Sequence, residues 1–256
     1  MSPPEQSPAA ASAPVARLSP RAGDAAPPAR AGLRQIAPRV LTWFWLKTFG
    51  VTAFIWLFFV GYFHLLRNPR HEPFVMPLTA LDAAIPFAPA ALWAYLSLWF
   101  YVGIPPGMML SLRELLRYGA WAAALCLTGL AFFYLLPTAV PAPALSIDVT
   151  QHRAFAVLQG VDAAGNACPS MHVASAVFTA LWLWRLLGEI HAQRWLQGLN
   201  LAWVLLIVYS TVATRQHVVL DVVAGAALGA LFAALSLADR RRQQRRHGGG
   251  PLQRAR

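Results

Sequence analysis

TFGVTAFIWLFFVGYFHLL, from Thr48 to Leu66, is nineteen residues without an Asp, Glu, Lys or Arg. A helix of that length rises about 28 Å at about 1.5 Å per residue, most of the way across a hydrocarbon core of about 30 Å. Lys47, Trp43 and Trp45 flank its start, as interfacial anchors do. Working outward, five more apolar blocks follow. Ala83 to Leu112 is thirty residues without a charge, interrupted by Pro105 and Pro106, so one helix beginning near Pro89 is expected rather than two. Tyr118 to Leu136 gives the third span, closed by Pro137. The fourth is short: twelve residues, Val173 to Trp184, separate His172 from Arg185, so it crosses only if Arg185 snorkels to an interface. Trp195 to Thr214 and Val218 to Ala238 are the fifth and sixth. The predicted fold class is all-α integral membrane, a six-transmembrane-helix bundle.

Composition agrees with this. Of 256 residues 57% are hydrophobic and 12% charged, outside the range of an ordinary soluble domain. Residues 1–38 carry eight prolines among Ala, Ser and Arg and are expected to form a disordered cytoplasmic tail. Residues 39–238 form the membrane domain, and 239–256, with seven arginines, a basic cytoplasmic tail. The first apolar block starts too far from residue 1 for a cleavable signal peptide, so the first span is expected to stay as an anchor. Six spans put both termini on one side. Of the 21 basic residues only Arg67, Arg70, Arg153 and Arg215 fall on the other side, so the positive-inside rule makes the termini cytoplasmic. The expected location is a bacterial inner membrane, with the opposite face periplasmic. Basic residues that lie between and outside apolar blocks form no nucleic-acid patch. Cys126 and Cys168 match neither a disulfide framework nor a zinc spacing and read as structural thiols; without HExxH or CxxC, no metal and no cofactor is expected.

Placed on this topology, His152, Arg153, Ser170, His172, Arg215, His217 and Asp221 all fall at the outward ends of spans or in adjoining loops. An Asp inside a membrane helix is costly and marks a functional site whose partner is to be named. His217, four residues earlier, shares a helix face with Asp221 about 6 Å away. A carboxylate there accepts the imidazole N–H and leaves the other ring nitrogen as a nucleophile or base; a structural His–Asp pair at a helix start has the same spacing. Pro169-Ser170-Met171-His172 opens the fourth span, where a hydroxyl and free backbone N–H groups suit an anion and His172 can protonate a leaving group; read alone, it is also a plain Ser/Pro helix start. Arg215 offers a permanent cation to a phosphoryl group, with a snorkelling interfacial arginine as the other reading, and Arg153 is a further candidate for substrate binding.

Cys168-Pro-Ser-Met-His-Val-Ala174, followed about 45 residues on by Ser210-Thr-Val-Ala-Thr-Arg-Gln-His-Val-Val-Leu-Asp221, resembles the second and third signature motifs of the type 2 phosphatidic acid phosphatase superfamily, the lipid phosphate phosphatases related to vanadium haloperoxidases. Asp162, Asn166 and the IPF-x-P stretch at 85–89 resemble a branch that includes inositol-phosphorylceramide-synthase-like proteins. The resemblance covers roughly residues 40–238. It implies a six-helix membrane core in which His217 attacks phosphorus, Asp221 orients it, His172 protonates the departing alcohol and Ser170 binds phosphate. Two parts of the pattern are missing. Lys47 is the chain's one lysine and there is no Arg-Pro dipeptide, so the first motif is absent; the Ser-Arg of the third motif reads Ser210-Thr211, with Arg215 as the candidate substitute.

The function expected is hydrolysis of a membrane lipid phosphate, a phosphomonoester or diphosphate, through a phosphohistidine at the outer membrane interface. The substrate lipid and the bilayer are the expected partners, and the oligomeric state is left open. A head-group phosphotransferase keeps the chemistry and changes the acceptor. A non-catalytic membrane scaffold or small transporter requires the His and Asp residues to be structural.

Overall fold

The computed structural model describes residues 34–141 and 165–248. Helix α1 (Ile36–Leu41) begins inside the stretch expected to be disordered through residue 38; Pro38 lies in its first turn, where a missing N–H breaks no helical bond. Helix α2 (Phe44–Arg67) is the first long apolar block. Strand β1 (Phe74–Val75) and the short helix α3 (Ala80–Ala84) follow. A 3₁₀ turn at Pro89–Ala91 then leads into α4 (Leu92–Leu96), α5 (Leu98–Tyr101) and α6 (Ile104–Met108). The rest is α7 (Leu112–Leu135), β2 (Thr138–Ala139), α8 (Met171–Glu189), α9 (Arg194–Ala213) and α10 (Val219–Gly248).

Five helices among the described residues, α2, α7, α8, α9 and α10, are long and apolar enough to cross a membrane. The expected second span is instead a run of short helical pieces from Pro89 to Met108. Ser97 Oγ turns back to the Ala94 carbonyl at 2.6 Å, and Pro105 and Pro106 bring no N–H to the ladder. The block that looked too short is the opposite. Its helix takes in His172 at one end, and Arg185 pairs with Glu189 at 2.9 Å, so α8 continues to Glu189. Helix α10 likewise runs past residue 238, so the basic stretch starts as its last turns and not as a separate tail.

Helix α8 is the central post: 67% of its apolar window is buried, against 0% for α2, which lies at the edge. Helices α8 and α10 run parallel and touch backbone to backbone, because a Cβ on Gly225 would overlap the Ser170 carbonyl and one on Gly229 the Ala174 carbonyl. Small residues are what permit such approach in a membrane, where apolar exclusion does not drive helices together. Polar pins fix the register: Trp182 Nε1 donates to Ser236 Oγ at 2.9 Å, and Asn200 joins the Ala180 carbonyl at 3.1 Å to the Tyr101 hydroxyl at 2.5 Å. Away from the N-termini of α8 and α10, Arg240 grips Glu189 at 2.6 and 3.0 Å and Glu114 at 2.6 Å, tying α7, α8 and α10. Trp56, Leu57, Leu127, Leu205 and Val223 are exposed on the outside, an apolar coat that suits lipid rather than water.

Near the start of α8, Thr138 gathers three loops. It pairs with Phe74 in the parallel β1–β2 ladder, its carbonyl accepts Ala167 N–H at 3.3 Å, and its hydroxyl accepts Cys168 N–H at 2.8 Å. Gly225→Ala is expected to lower stability by about 1–3 kcal/mol, as overpacking does. Gly188→Ala, where a Cβ meets nothing within 4 Å, is expected to be neutral or slightly stabilising. Thermal melts of the two variants in one detergent check the difference.

Candidate active site

Parallel packing of α8 and α10 puts both helix N-termini at one level, and the loops before them carry the chemistry. Ser170 caps α8, its Oγ accepting Val173 N–H at 3.3 Å, while Ser170 N–H donates to the Asp221 carbonyl at 3.1 Å. Asp221 lies in the first turn of α10, fully buried, with Oδ2 accepting Val218 N–H at 3.1 Å. His217 precedes the helix, in the turn after α9, rather than sharing a helical face with Asp221 as its spacing predicts. Its Nδ1 nevertheless stands 3.5 Å from Asp221 Oδ2. His172, one residue into α8, stacks on Tyr95 at 3.9 Å between ring centroids and meets the edge of Trp99 at 6.1 Å.

His172 and His217 both line one end of an apolar cavity of about 1000 Å³. One face of α2 lines it from Leu46 to Phe63, facing α4–α6, the first half of α7 and the start of α8. Asn166, beside the histidines, is held by Nδ2 donating to the Tyr62 carbonyl at 3.0 Å. His172 Nε2, His217 Nδ1 and Asp221 Oδ1 are buried without a hydrogen bond among the described residues. Buried polar atoms are normally paired, so three such atoms at one spot point to a polar ligand.

The family model of the PAP2 superfamily matches residues 64–235, from the last turn of α2 to near the end of the apolar part of α10. The chain belongs to the PAP2 superfamily. No curated protein and no solved structure matches it. The matched stretch contains every residue just described at the histidine end of the cavity except Tyr62 and Phe63.

In this PAP2 chain the sequence-based candidates divide into groups. His172, His217 and Asp221 come together. Ser170 joins them as a fully buried cap behind His172 and is not part of the cavity wall. Arg215 stands apart: its guanidinium donates to the carbonyls of Asp82 at 2.8 Å and Ile85 at 2.9 Å, and it does not line the cavity. Arg153, with His152 and Asp162, lies outside the described residues. Burial, and then the Asp221 carboxylate, push the Cys168 thiol up from its ordinary value.

Asp82, Tyr95 and Trp99 escaped the sequence reading. Tyr95 and Trp99 are aromatic residues four apart in a block that reads as an uninterrupted span. Asp82 had a signal, Thr79-x-x-Asp82, the acidic form of a capping box. Its Oδ2 accepts Thr79 N–H and Oγ1–H, both at 2.7 Å, and its Oδ1 reaches across to Val219 N–H at 2.8 Å, capping α10 as well as α3. Burial alone would raise this carboxyl; the bonds from Thr79 and Val219, helped by the Arg215 charge, hold it below the ordinary 3.8. A lowered folded value means that the stabilisation is complete above the ordinary carboxylate range and is lost as pH falls through that lowered value. The melting-temperature gap between the native chain and Asp82→Asn is therefore expected to shrink between about pH 5 and pH 3; melts across that range test it.

Proposed function

We propose that this PAP2 chain is a lipid-phosphate phosphatase that works through a phosphohistidine at His217. The observation that carries the reading is the meeting of two imidazoles, one backed by a buried carboxylate, at the end of a large apolar cavity. A lipid phosphate has the matching shape, with an anionic head for the histidines and hydrocarbon for the cavity. With Nδ1 facing Asp221, the lone pair on His217 Nε2 attacks phosphorus and the P–O bond to the lipid breaks. Protonated His172 gives its proton to the departing oxygen, from Nε2. Water then attacks phosphorus, losing a proton to His172, the P–N bond breaks with its electron pair returning to His217 Nε2, and inorganic phosphate leaves. Asp221 stabilises the positive charge that the imidazole gains. Backbone N–H groups at the start of α8 are the proposed phosphate donors, Ser170 holding that helix start as its cap, with Arg153 as the proposed cation.

The charge asymmetry of the loops supports cytoplasmic termini and a site on the outer face of a bacterial inner membrane. That arrangement lets the head group stay in water while the chains stay in lipid.

Phosphate release from phosphatidate, phosphatidylglycerol phosphate and a polyprenyl diphosphate in detergent tests the reaction. His217→Ala is expected to lower the rate by about a thousandfold or more, and His172→Ala by about 10²–10⁴-fold. A native chain inert on all three lipids, or an active His217→Ala, rejects the proposal. Added lipid alcohol separates hydrolysis from transfer: labelled head group appearing on the alcohol marks a transferase.

The cavity's part in the reading has its own check. Gly119 lines the cavity and a Cβ there meets nothing within 4 Å, so the side chain of Gly119→Leu is expected to enter the cavity. The variant is expected to lose activity on long-chain lipid phosphates and keep it on short-chain ones, read from a chain-length series.

A further inference from the structure

The turn that carries His217 is fastened at three points to one distant segment, residues 82–88. Ala88 N–H donates to the Ala213 carbonyl at 2.9 Å, where α9 ends. Arg215 donates to the carbonyls of Asp82 and Ile85. Asp82 Oδ1 accepts Val219 N–H, where α10 starts. His217 lies between the second and third of these points.

Both partners of Arg215 lie at the end of α3, where the IPFAP stretch, Ile85 to Pro89, begins. A carbonyl in a helical segment looks for an N–H four residues on. Four residues after Asp82 is Pro86, which has no N–H, and Ile85 is the extended C-cap of α3 (ψ 116°), so its carbonyl lies outside the helical ladder. Two carbonyls at the end of α3 are thus in want of donors, and the two terminal nitrogens of one guanidinium serve them.

Arg215 also stands where an arginine is a poor choice of backbone. Its N–H donates to the Val212 carbonyl and that of Gln216 to the Thr211 carbonyl, each at 2.9–3.1 Å, the paired bonds of a Schellman helix end. The residue at that place is left-handed, here with φ of 60°, and is usually glycine. A strained residue in a turn beside reacting groups calls for a gain elsewhere, and the gain on view is its side chain.

We infer that Asp82 and Arg215 are positioning residues that clamp the His217 turn to the segment before α4, Arg215 serving there as a structural fork and not as the phosphate ligand. The inference rests on the reading of His217 as the attacking group. Attack on phosphorus tolerates little misalignment, and a shift of about 1 Å in a reacting group can lower a rate by about a hundredfold.

Glycine at 215 suits the turn and removes only the fork, so Arg215→Gly is the decisive variant, with Asp82→Asn and Asp82→Ala beside it. In Arg215→Gly and Asp82→Ala, kcat is expected to fall by about ten- to a hundredfold with KM within about twofold, and amide exchange across residues 213–221 to accelerate. Asp82→Asn, which keeps one acceptor, should fall between Asp82→Ala and the native chain. Arg215→Lys is not expected to restore kcat, because a single ammonium does not span two carbonyls as the fork does. Combining Arg215→Gly with Asp82→Ala should cost less than the product of the two single effects, since both open one clamp.

Unchanged kcat, or unchanged exchange, in Arg215→Gly overturns the clamp. So does a rise in KM and in the inhibition constant of inorganic phosphate with kcat preserved and Lys as a rescue, which would put the guanidinium on the substrate. A native chain that releases no phosphate from any lipid rejects the assigned reaction instead, and the exchange measurement still decides the clamp.

Discussion

The contact on which the site depends is the one between two glycines and two carbonyls. Gly225 and Gly229 let α10 lie directly on the Ser170 and Ala174 backbone of α8. That closeness joins Ser170 N–H to the Asp221 carbonyl and brings two helix N-termini side by side. Each start holds N–H groups with no partner inside its helix; at α10 those of Val218 and Val219 go to the Asp221 and Asp82 carboxylates, and at α8 that of Val173 goes to Ser170 Oγ. Larger residues at 225 and 229 would wedge these starts apart. The rest of the site is built around this pairing, with His172 on one helix, Asp221 on the other, and His217 swung in by the turn before α10.

Polar groups at the two ends of the bundle are treated in opposite ways. Arg240, Glu189, Glu114 and Arg185 form a network in which every charge has an opposite charge in contact, and Trp182 lies against Arg240 at 5.7 Å. Glu114 Oε1 in that network lacks a well-aligned hydrogen bond but has the Arg240 charge at 2.6 Å, whereas at the other end three buried ring and carboxyl atoms lack a hydrogen bond among the described residues. The difference separates scaffold from site. Closed networks make one arrangement rigid, whereas unsatisfied groups are retained where a ligand will complete them.

Much of this was legible in the chain. Period and length of the apolar blocks revealed the long helices, because in a membrane a helix must satisfy its own backbone and needs about twenty apolar residues to do so. His172, His217 and Asp221 stood out because ionisable groups are rare among such residues. The failures have physical causes. Two prolines and a serine divided the expected second span, an effect of local hydrogen bonding that hydropathy does not register. Arg215 was read by its charge, while its place is fixed by a left-handed backbone and by two carbonyls left without donors where α3 ends. Asp82 was passed over because its second partner, Val219, is far away in sequence; only folding brings a carboxylate from one loop to the start of another helix.

The hollow behind α2 has a consequence for how the molecule exists at all. Apart from Lys47 and Tyr62, the wall that α2 gives it from Leu46 to Phe63 is apolar, so water is a poor filler and an alkyl chain a good one. An amphiphile that solubilises the chain therefore finds a place in its interior that alkyl chains suit. The identity of the detergent or lipid then belongs with sequence, temperature and pH among the variables that define the folded state.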